Sequence, residues 1–271
     1  IGLSVAPYEV LETEEDLARI TSSGVAQTHL EPFSTPLIMK TSRNGYDGKG
    51  QLIVQHLSDT MKHWNSLGNV PCIVEQKIDL DAEFSVIIAR GEDGEIASFM
   101  PTENVHVDGI LDVSTAPSQL DSQLLEQGQL AAINIAEKLN YIGVLAVEFF
   151  VSHNSLFVNE LAPRPHNSGH WTLDAASTSQ FEQQVRALVG KSLGDPSMTC
   201  GAVAMVNLLG DRWTHGDPQF DKVIANSSAH VHLYGKKTAR PGRKMGHLTV
   251  TGETVDAVAE NAVSLRTAIT R

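Results

Sequence analysis

Cysteine is nearly absent: Cys72 and Cys200 are the only two in 271 residues. A disulfide framework is thereby not implied. Both are expected to be reduced, mostly buried thiols, Cys72 inside the strand-like run PCIVEQ. No apolar run is long enough to span a bilayer, and no charged-then-apolar leader opens the chain. Basic residues are in short supply. Twenty Lys and Arg against 32 Asp and Glu leave a formal net charge of -12, which argues against nonspecific nucleic-acid binding, since that depends on neutralising phosphates. Internal repeats and low-complexity tracts are absent too. A protein of the cytoplasm, or of an organelle stroma such as the plastid's, fits these absences, with no membrane and no nucleic acid as partner. The chain opens on Ile1 rather than Met, inside a strand-to-loop passage, which points to a piece of a longer protein.

What is present is an ordinary globular composition, 41% hydrophobic and 19% charged, in a chain long enough for two or three structural units. Its centre of interest is GVLAVEFFVSHNSLFVNELAPRPHNSGHWTL, residues 143–173. Two apolar runs carry one acid each, Glu148 and Glu160, around the polar turn Ser152-His153-Asn154-Ser155, a β-hairpin pattern. A carboxylate in an apolar strand is costly unless a charge meets it, and a shared divalent cation accounts for two on neighbouring strands. Glu148 and Glu160 are therefore read as magnesium ligands. Register decides how they meet. A three-residue loop sets Glu148 opposite Glu160, whereas a two-residue His153-Asn154 turn sets it opposite Asn159. An edge hairpin whose acids face water is the plainer alternative. Against it stand Arg164, His166, Asn167, Ser168 and His170, crowded just past the second strand, with Pro163 and Pro165 stiffening the exit.

In chain order, Thr13 followed by Glu14, Glu15 and Asp16 starts a helix that Gly24 ends. A buried strand over 36–40 ends in Lys40, and the glycine-rich loop through Gln51 follows. That loop suits an anion cradle, with Lys40 and Lys49 as point charges, although such a feature alone is more often a plain hairpin loop; it is not a P-loop. Strands over 52–54 and 72–78 with a helix over 56–67 suggest a small α+β lid. Strands over 83–90 and 95–99 come next, then an irregular stretch with Glu103, Asn104 and His106. Helical spacing covers 119–139, packing on the sheet that holds Glu148 and Glu160, and a further helix spans 172–188, ending at Gly190. Beyond Pro196 come a fully apolar strand over 202–209, a loop with Trp213, His215 and Pro218, and a strand over 230–233. Lys236, Lys237, Arg240, Arg243 and Lys244 then cluster in one loop, either an anion site or a solvated loop balancing nearby acids. A helix over 254–269 closes the chain.

Taken together, KTSRNGYDGKGQ, VEQKIDLDAEFSVIIAR, PTENVHVDGIL, VEFFVSHNSLFVNELAPRPHNSGHWT and YGKKTARPGRKMGH resemble the 5-(carboxyamino)imidazole ribonucleotide synthases of purine biosynthesis. The likeness runs over nearly the whole chain. It implies an α+β ATP-grasp fold: an entry segment and helix (1–33), a lid subdomain (34–78), a central antiparallel-sheet subdomain with the Mg-ATP site (79–197) and a small β-rich C-terminal domain (198–271). It also implies an ATP-dependent ligase that carboxylates the exocyclic amine of aminoimidazole ribonucleotide with bicarbonate, through carboxyphosphate. The resemblance puts Lys40 and the loop Gly45, Tyr46, Asp47, Gly48, Lys49, Gly50 and Gln51 on the ATP phosphates. Glu75, Gln76, Lys77 and Ile78 would meet adenine, Glu83 the ribose, and His106 would be a further nucleotide contact. Glu148 and Glu160, with Asn159 beside them, would hold magnesium, two ions. Arg164, His166, Asn167 and Ser168 would line the pocket where carboxyphosphate forms, with Tyr46 and Asp47 closing on it. Lys236, Arg243 and Lys244 would grip the ribonucleotide phosphate.

The residue types suit that chemistry. Phosphoryl transfer is carried by positioning and electrostatics, a lid excludes water from a labile intermediate, and the fork of Arg164 matches a planar oxyanion. The resemblance further implies a homodimer, the carboxyaminoimidazole ribonucleotide mutase as functional partner, and an N-terminal nucleotide-fold domain that this chain starts after. Two rivals remain: another ATP-grasp ligase of the formate-dependent glycinamide ribonucleotide transformylase type, and a non-catalytic nucleotide-binding module of a larger purine enzyme.

Overall fold

The computed structural model describes residues 2–23, 35–43, 45, 50–214 and 216–269. It divides into two compact units, Ser4–Leu80 and Asp81–Arg271, the second joined by Ile1–Leu3.

The smaller unit is a four-stranded antiparallel sheet, in the order β1 (Tyr8–Leu11), β4 (Cys72–Gln76), β2 (Leu37–Thr41) and β3 (Gln51–Val54). Helix α1 (Glu14–Ser23) starts at a reciprocal cap, Thr13 N–H donating to the Asp16 carboxylate at 2.9 Å and Asp16 N–H to Thr13 Oγ1 at 3.2 Å. Its expected end at Gly24 lies outside the described residues. The helix expected over 56–67 is a short 3₁₀ turn followed by α2 (Thr60–Ser66). Leu11, Leu17, Ile20, Leu37, Met39, Trp64, Cys72 and Val74 form this unit's core.

The larger unit is built on one nine-stranded sheet. Its order is β10 (Ser155–Ala162), β9 (Gly143–Ser152), β5 (Ala82–Arg90), β7 (Thr102–Val107), β8 (Ile110–Ala116), β11 (Ala202–Leu209), β13 (Lys244–Gly252) and β12 (Ala229–Leu233), with β6 (Ile96–Ser98) paired to β5. The strands after residue 198 thus continue the central sheet across the β8–β11 pairing. Helix α3 (Ser122–Lys138), capped by Asp121, covers one face. It buries Leu124, Ala131, Ala132, Ile135 and Ala136 against Phe84, Val86, Leu145, Val147 and Phe149. Helix α7 (Val255–Ala268) covers the same face farther along, against Ala204, Val206, Leu248 and Val250. By strand alternation the opposite face carries Glu148, Ser85, Asn104, Ser114, Asn207, His247 and His232.

Two further expectations are corrected, and one strand is added. The stretch with Glu103, Asn104 and His106 is the β7–β8 hairpin, turned at Asp108-Gly109, both left-handed (φ 51 and 74); Asp-Gly is a favoured two-residue hairpin turn, and that dipeptide was the available signal. The helix expected over 172–188 breaks into α4 (Thr172–Ala175) and α5 (Gln180–Leu188), because Ala176 turns extended to bridge Met198 and Ser179 caps a fresh start. Strand β13 after the basic loop went unread, although every residue from Met245 to Val250 is buried.

Candidate active site

The hairpin that carries the two acids settles its register in an unforeseen way. His153 and Asn154 are both left-handed (φ 48 and 59), and Ser155 pairs with Ser152, so the turn has two residues. That register alone would set Asn159 against Glu148. A β-bulge between Val158 and Glu160 takes Asn159 out of the pairing, and Glu160 faces Glu148 after all. Glu148 is nearly buried, its side chain 12% exposed, whereas Glu160 is exposed. Burial, and then the charge of Glu160, push the Glu148 carboxyl up to about 7.

His166 meets Glu148 with Nε2 at 3.1 Å from Oε1. A chain of buried hydrogen bonds fixes its tautomer. Ser114 Oγ donates to Asn104 Oδ1 at 2.9 Å, Asn104 Nδ2 to Ser85 Oγ at 3.0 Å, and Ser85 Oγ to Ser168 Oγ at 2.7 Å. The Ser168 hydroxyl is left to donate to His166 Nδ1 at 2.9 Å, which places the imidazole proton on Nε2, toward Glu148. Burial, and then the charges of Arg164 and Lys244, hold His166 down to about 3, so the ring is neutral. His170 is likewise lowered to about 4, chiefly by burial.

The segment over 163–179 is a strap laid across this face of the sheet, tied to strand after strand. Besides the His166–Glu148 and Ser168–Ser85 contacts, Trp171 Nε1 donates to Thr102 Oγ1 on β7 at 3.0 Å. Asn167 and Asn207 exchange amide bonds at 2.7 and 3.1 Å, and Asp174 lies 3.0 Å from His232 Nε2. One side chain clamps the turn itself. Gln180, fully buried, accepts the His166 N–H at 2.8 Å and donates back to the His166 carbonyl at 2.8 Å.

Other expected residues are placed as follows. Glu83 and His106 pair at 3.0 Å on β5 and β7. Burial opposes the charged imidazole of His106, yet Glu83, with Glu148 beyond, outweighs it and its pKa is raised. The charge of Lys244, at the head of β13, is felt at Glu148, His106, His166 and His170. Lys236 donates to the Lys244 carbonyl at 2.5 Å and Arg243 to the Thr238 carbonyl at 2.7 Å, so the basic loop is folded on itself. Arg164 is exposed, bonded to the Pro165 carbonyl at 3.0 Å. In the smaller unit Lys40 pairs with Glu75 at 2.5 Å. The N–H groups of Gln76 and Lys77 are taken up by the Pro7 and Pro36 carbonyls at 2.8 and 3.2 Å, and Ile78 lies just past β4. Gly45 and Gln51 are exposed, and Gly50 is left-handed (φ 77) where a Cβ would meet Thr41 Oγ1 at 2.5 Å. Tyr46, Asp47, Gly48 and Lys49 lie outside the described residues, as does His215. Ser85, Ser114, Gln180 and Asn207 went unread; a lone Ser or Asn inside an apolar strand was the one signal available.

The chain matches the ATP-grasp domain family over residues 1–181 and the phosphoribosylaminoimidazole carboxylase C-terminal domain family over residues 203–261. It belongs to the ATP-grasp family. Within it, an N5-carboxyaminoimidazole ribonucleotide synthase of Bacillus subtilis (strain 168) is 39% identical over 251 residues, covering 92% of this chain and 62% of that protein. The chain thus spans less than two thirds of that ATP-grasp relative. The crystal structure of an N5-carboxyaminoimidazole ribonucleotide synthetase from Thermus thermophilus superposes with a TM-score of 0.84 at 36% identity, covering 99% of this chain and 69% of that one. An N5-carboxyaminoimidazole synthase from Aspergillus clavatus, solved in complex with ADP and 5-aminoimidazole ribonucleotide, superposes with a TM-score of 0.82 at 26% identity, covering 99% and 70%. The fold is therefore ATP-grasp, extended by the carboxylase C-terminal domain. No helix among the described residues is long and apolar enough to cross a membrane.

Proposed function

We propose that this chain carries the ATP-using centre of an enzyme that carboxylates 5-aminoimidazole ribonucleotide with bicarbonate, in purine biosynthesis. The reading rests on one observation above all: two glutamates set face to face by a bulge, one of them buried against a histidine of fixed tautomer, in a chain whose relatives bear that enzyme's name.

Glu148 and Glu160 fit magnesium. Two facing carboxylates are hard oxygen donors, and Glu148 is held toward its neutral form by burial and then by the charge of Glu160, which a cation would relieve. Bound there, magnesium, one ion or two, would offset charge gathering on the phosphoryl group being transferred. The chain's own residues do the rest. Neutral His166 donates Nε2–H to Glu148 and so orients that carboxylate. Arg164 offers its fork to bicarbonate, and Asn167, its amide set by Asn207, orients the same group. Lys40, Gly45, Tyr46, Asp47, Gly48, Lys49, Gly50 and Gln51 hold the ATP phosphates, Glu75, Gln76, Lys77 and Ile78 the base, Glu83 the ribose, and His106 makes a further nucleotide contact. Lys236, Arg243 and Lys244 take the ribonucleotide phosphate. The functional division at 33, 78 and 197, homodimer formation, a mutase acting on the product and a cytoplasmic setting complete the reading.

The test is phosphate release from Mg-ATP and bicarbonate, with and without the ribonucleotide. It compares this chain, its Glu160→Ala variant and a version extended at the N-terminus to the length of the relatives. Release stimulated by ribonucleotide and bicarbonate, and lost in Glu160→Ala, is the expected result. An extended protein that binds ATP yet shows no such stimulation would overturn it, and stimulation by formate with glycinamide ribonucleotide would point to the rival ligase.

A further inference from the structure

At the far end of the strap, away from Glu148, stands a second group of side chains that the carboxylation reading leaves unused. Asp174, His232 and His247 offer ligand atoms that all lie within 4.8 Å of one another. The sheet register brings the two histidines together. His232 on the edge strand β12 faces His247 on β13, and their rings stack with centroids 4.6 Å apart and an interplanar angle of 14°. Asp174, from α4 on the strap, closes the group with both carboxylate oxygens 3.0 Å from His232 Nε2.

His247 is the telling member. It is 1% exposed, and its buried Nε2 has no hydrogen-bond partner among the described residues. A buried polar atom left unsatisfied is costly and calls for a missing partner. Its other nitrogen, Nδ1, lies 2.9 Å from the Tyr234 hydroxyl. With the proton on Nδ1, donated to Tyr234, Nε2 presents a lone pair. An imidazole anchored through one nitrogen and open at the other is how proteins orient a metal-binding histidine. His230, two residues before His232 on the same strand face, has Nδ1 3.9 Å from Asp174 Oδ1.

We propose that Asp174, His232 and His247 form a binding site for a divalent transition metal, zinc by ligand type, that pins the strap to the outer strands of the sheet. Two imidazoles and one carboxylate are a set that zinc takes readily, with a further position left for water or His230. Magnesium prefers oxygen donors and would not compete here. The site is distinct from the glutamate pair, so it stands whether or not the carboxylase reading does.

The test is titration of the purified chain with cobalt(II) in excess magnesium, followed by visible absorption, with zinc then used to displace the cobalt. One equivalent of cobalt, giving the intense band of a four- or five-coordinate site containing nitrogen, is expected. His232→Ala and Asp174→Asn, both at partly exposed positions, should weaken binding at least ~10–100-fold, and Tyr234→Phe, which keeps the ring, should weaken it by ~10-fold. Saturating zinc should raise Tm by ~5–10 °C in the parent and leave His232→Ala unmoved. Failure to bind cobalt or zinc at micromolar concentration would overturn the proposal. So would equal binding by the parent and by folded His232→Ala and Asp174→Asn variants.

Discussion

Replacing Glu148 by Gln should stabilise the larger unit at pH 8 when no divalent cation is present. The carboxyl is pushed from 4.5 to about 7 in the folded chain, first by burial and then by Glu160. A raised carboxylate pKa means that the folded state binds the proton more tightly than the unfolded one. Stability from this group is therefore full below 4.5 and is lost as pH rises toward 7. A rise from 4.5 to about 7 comes to roughly 3 kcal/mol at pH 8, of which a little under 1 is already lost at pH 5. Gln keeps an acceptor for His166 Nε2–H without the charge. The shifts of His166 and His170, lowered to about 3 and 4, work in the opposite direction below pH 6.5 in both proteins and largely cancel in the difference. Urea unfolding at pH 5 and pH 8 in EDTA measures it: the gain from Glu148→Gln should be ~2–3 kcal/mol larger at pH 8, a midpoint shift of ~1 M. Saturating magnesium should then stabilise the parent and leave the variant unmoved. A variant that is no more stable than the parent at pH 8 in EDTA would show that Glu148 carries no uncompensated charge, and the metal reading would lose its physical basis.

Gln180→Leu keeps the volume but strips both partners from the His166 backbone. At about 1–3 kcal/mol for each buried group left unsatisfied, the loss should be ~2–5 kcal/mol in urea unfolding, and a loss under about 1 would mean that the strap is held elsewhere. Gly128→Ala gains about 1 kcal/mol of helix propensity. Its Cβ, however, would sit 2.6 Å from Phe84 Cζ, in a ring stacked on Phe149 at 5.1 Å. A net loss of ~1–2 kcal/mol is expected from overpacking, and a stabilised variant would show that α3 can lift off the sheet freely.

Local chemistry was legible in the sequence where one short stretch decides the outcome. The acids after Thr13, the mostly apolar run on β11 and the helix of α3 each follow from their own residues and periodicity. Even there the details shifted: the buried stripe of α3 runs through Leu124, Ala131, Ala132, Ile135 and Ala136, while Leu139 at its end is exposed. Contacts between distant residues were not legible. Ser85 and Ser114 went unread, and only the pairing of β5, β7 and β8 under the strap joins them with Asn104 and Ser168 into one line of donors and acceptors. Asn207 lies in a strand read as fully apolar, and only the fold sets it opposite Asn167. The expected site residues were read from their chemical type and from the resemblance, whereas the groups packed behind them were missed because those lie far away along the chain.

The bulge at Asn159 shows why pattern alone could not set the geometry. A hairpin register has two independent determinants, the turn and any irregularity along the ladder. The turn residues His153 and Asn154 accept the left-handed conformation and favour the two-residue loop, while a shared cation would need Glu160 across from Glu148. Those two demands differ by one residue, and a one-residue slip of the whole strand would have sent Leu156 and Val158, which pack beside α3, to the polar face. Placing the extra residue after Val158 satisfies all three demands at once. The strand keeps its apolar contacts near the turn and delivers its carboxylate at the far end, a local irregularity of the kind found where a side chain must be re-aimed for function.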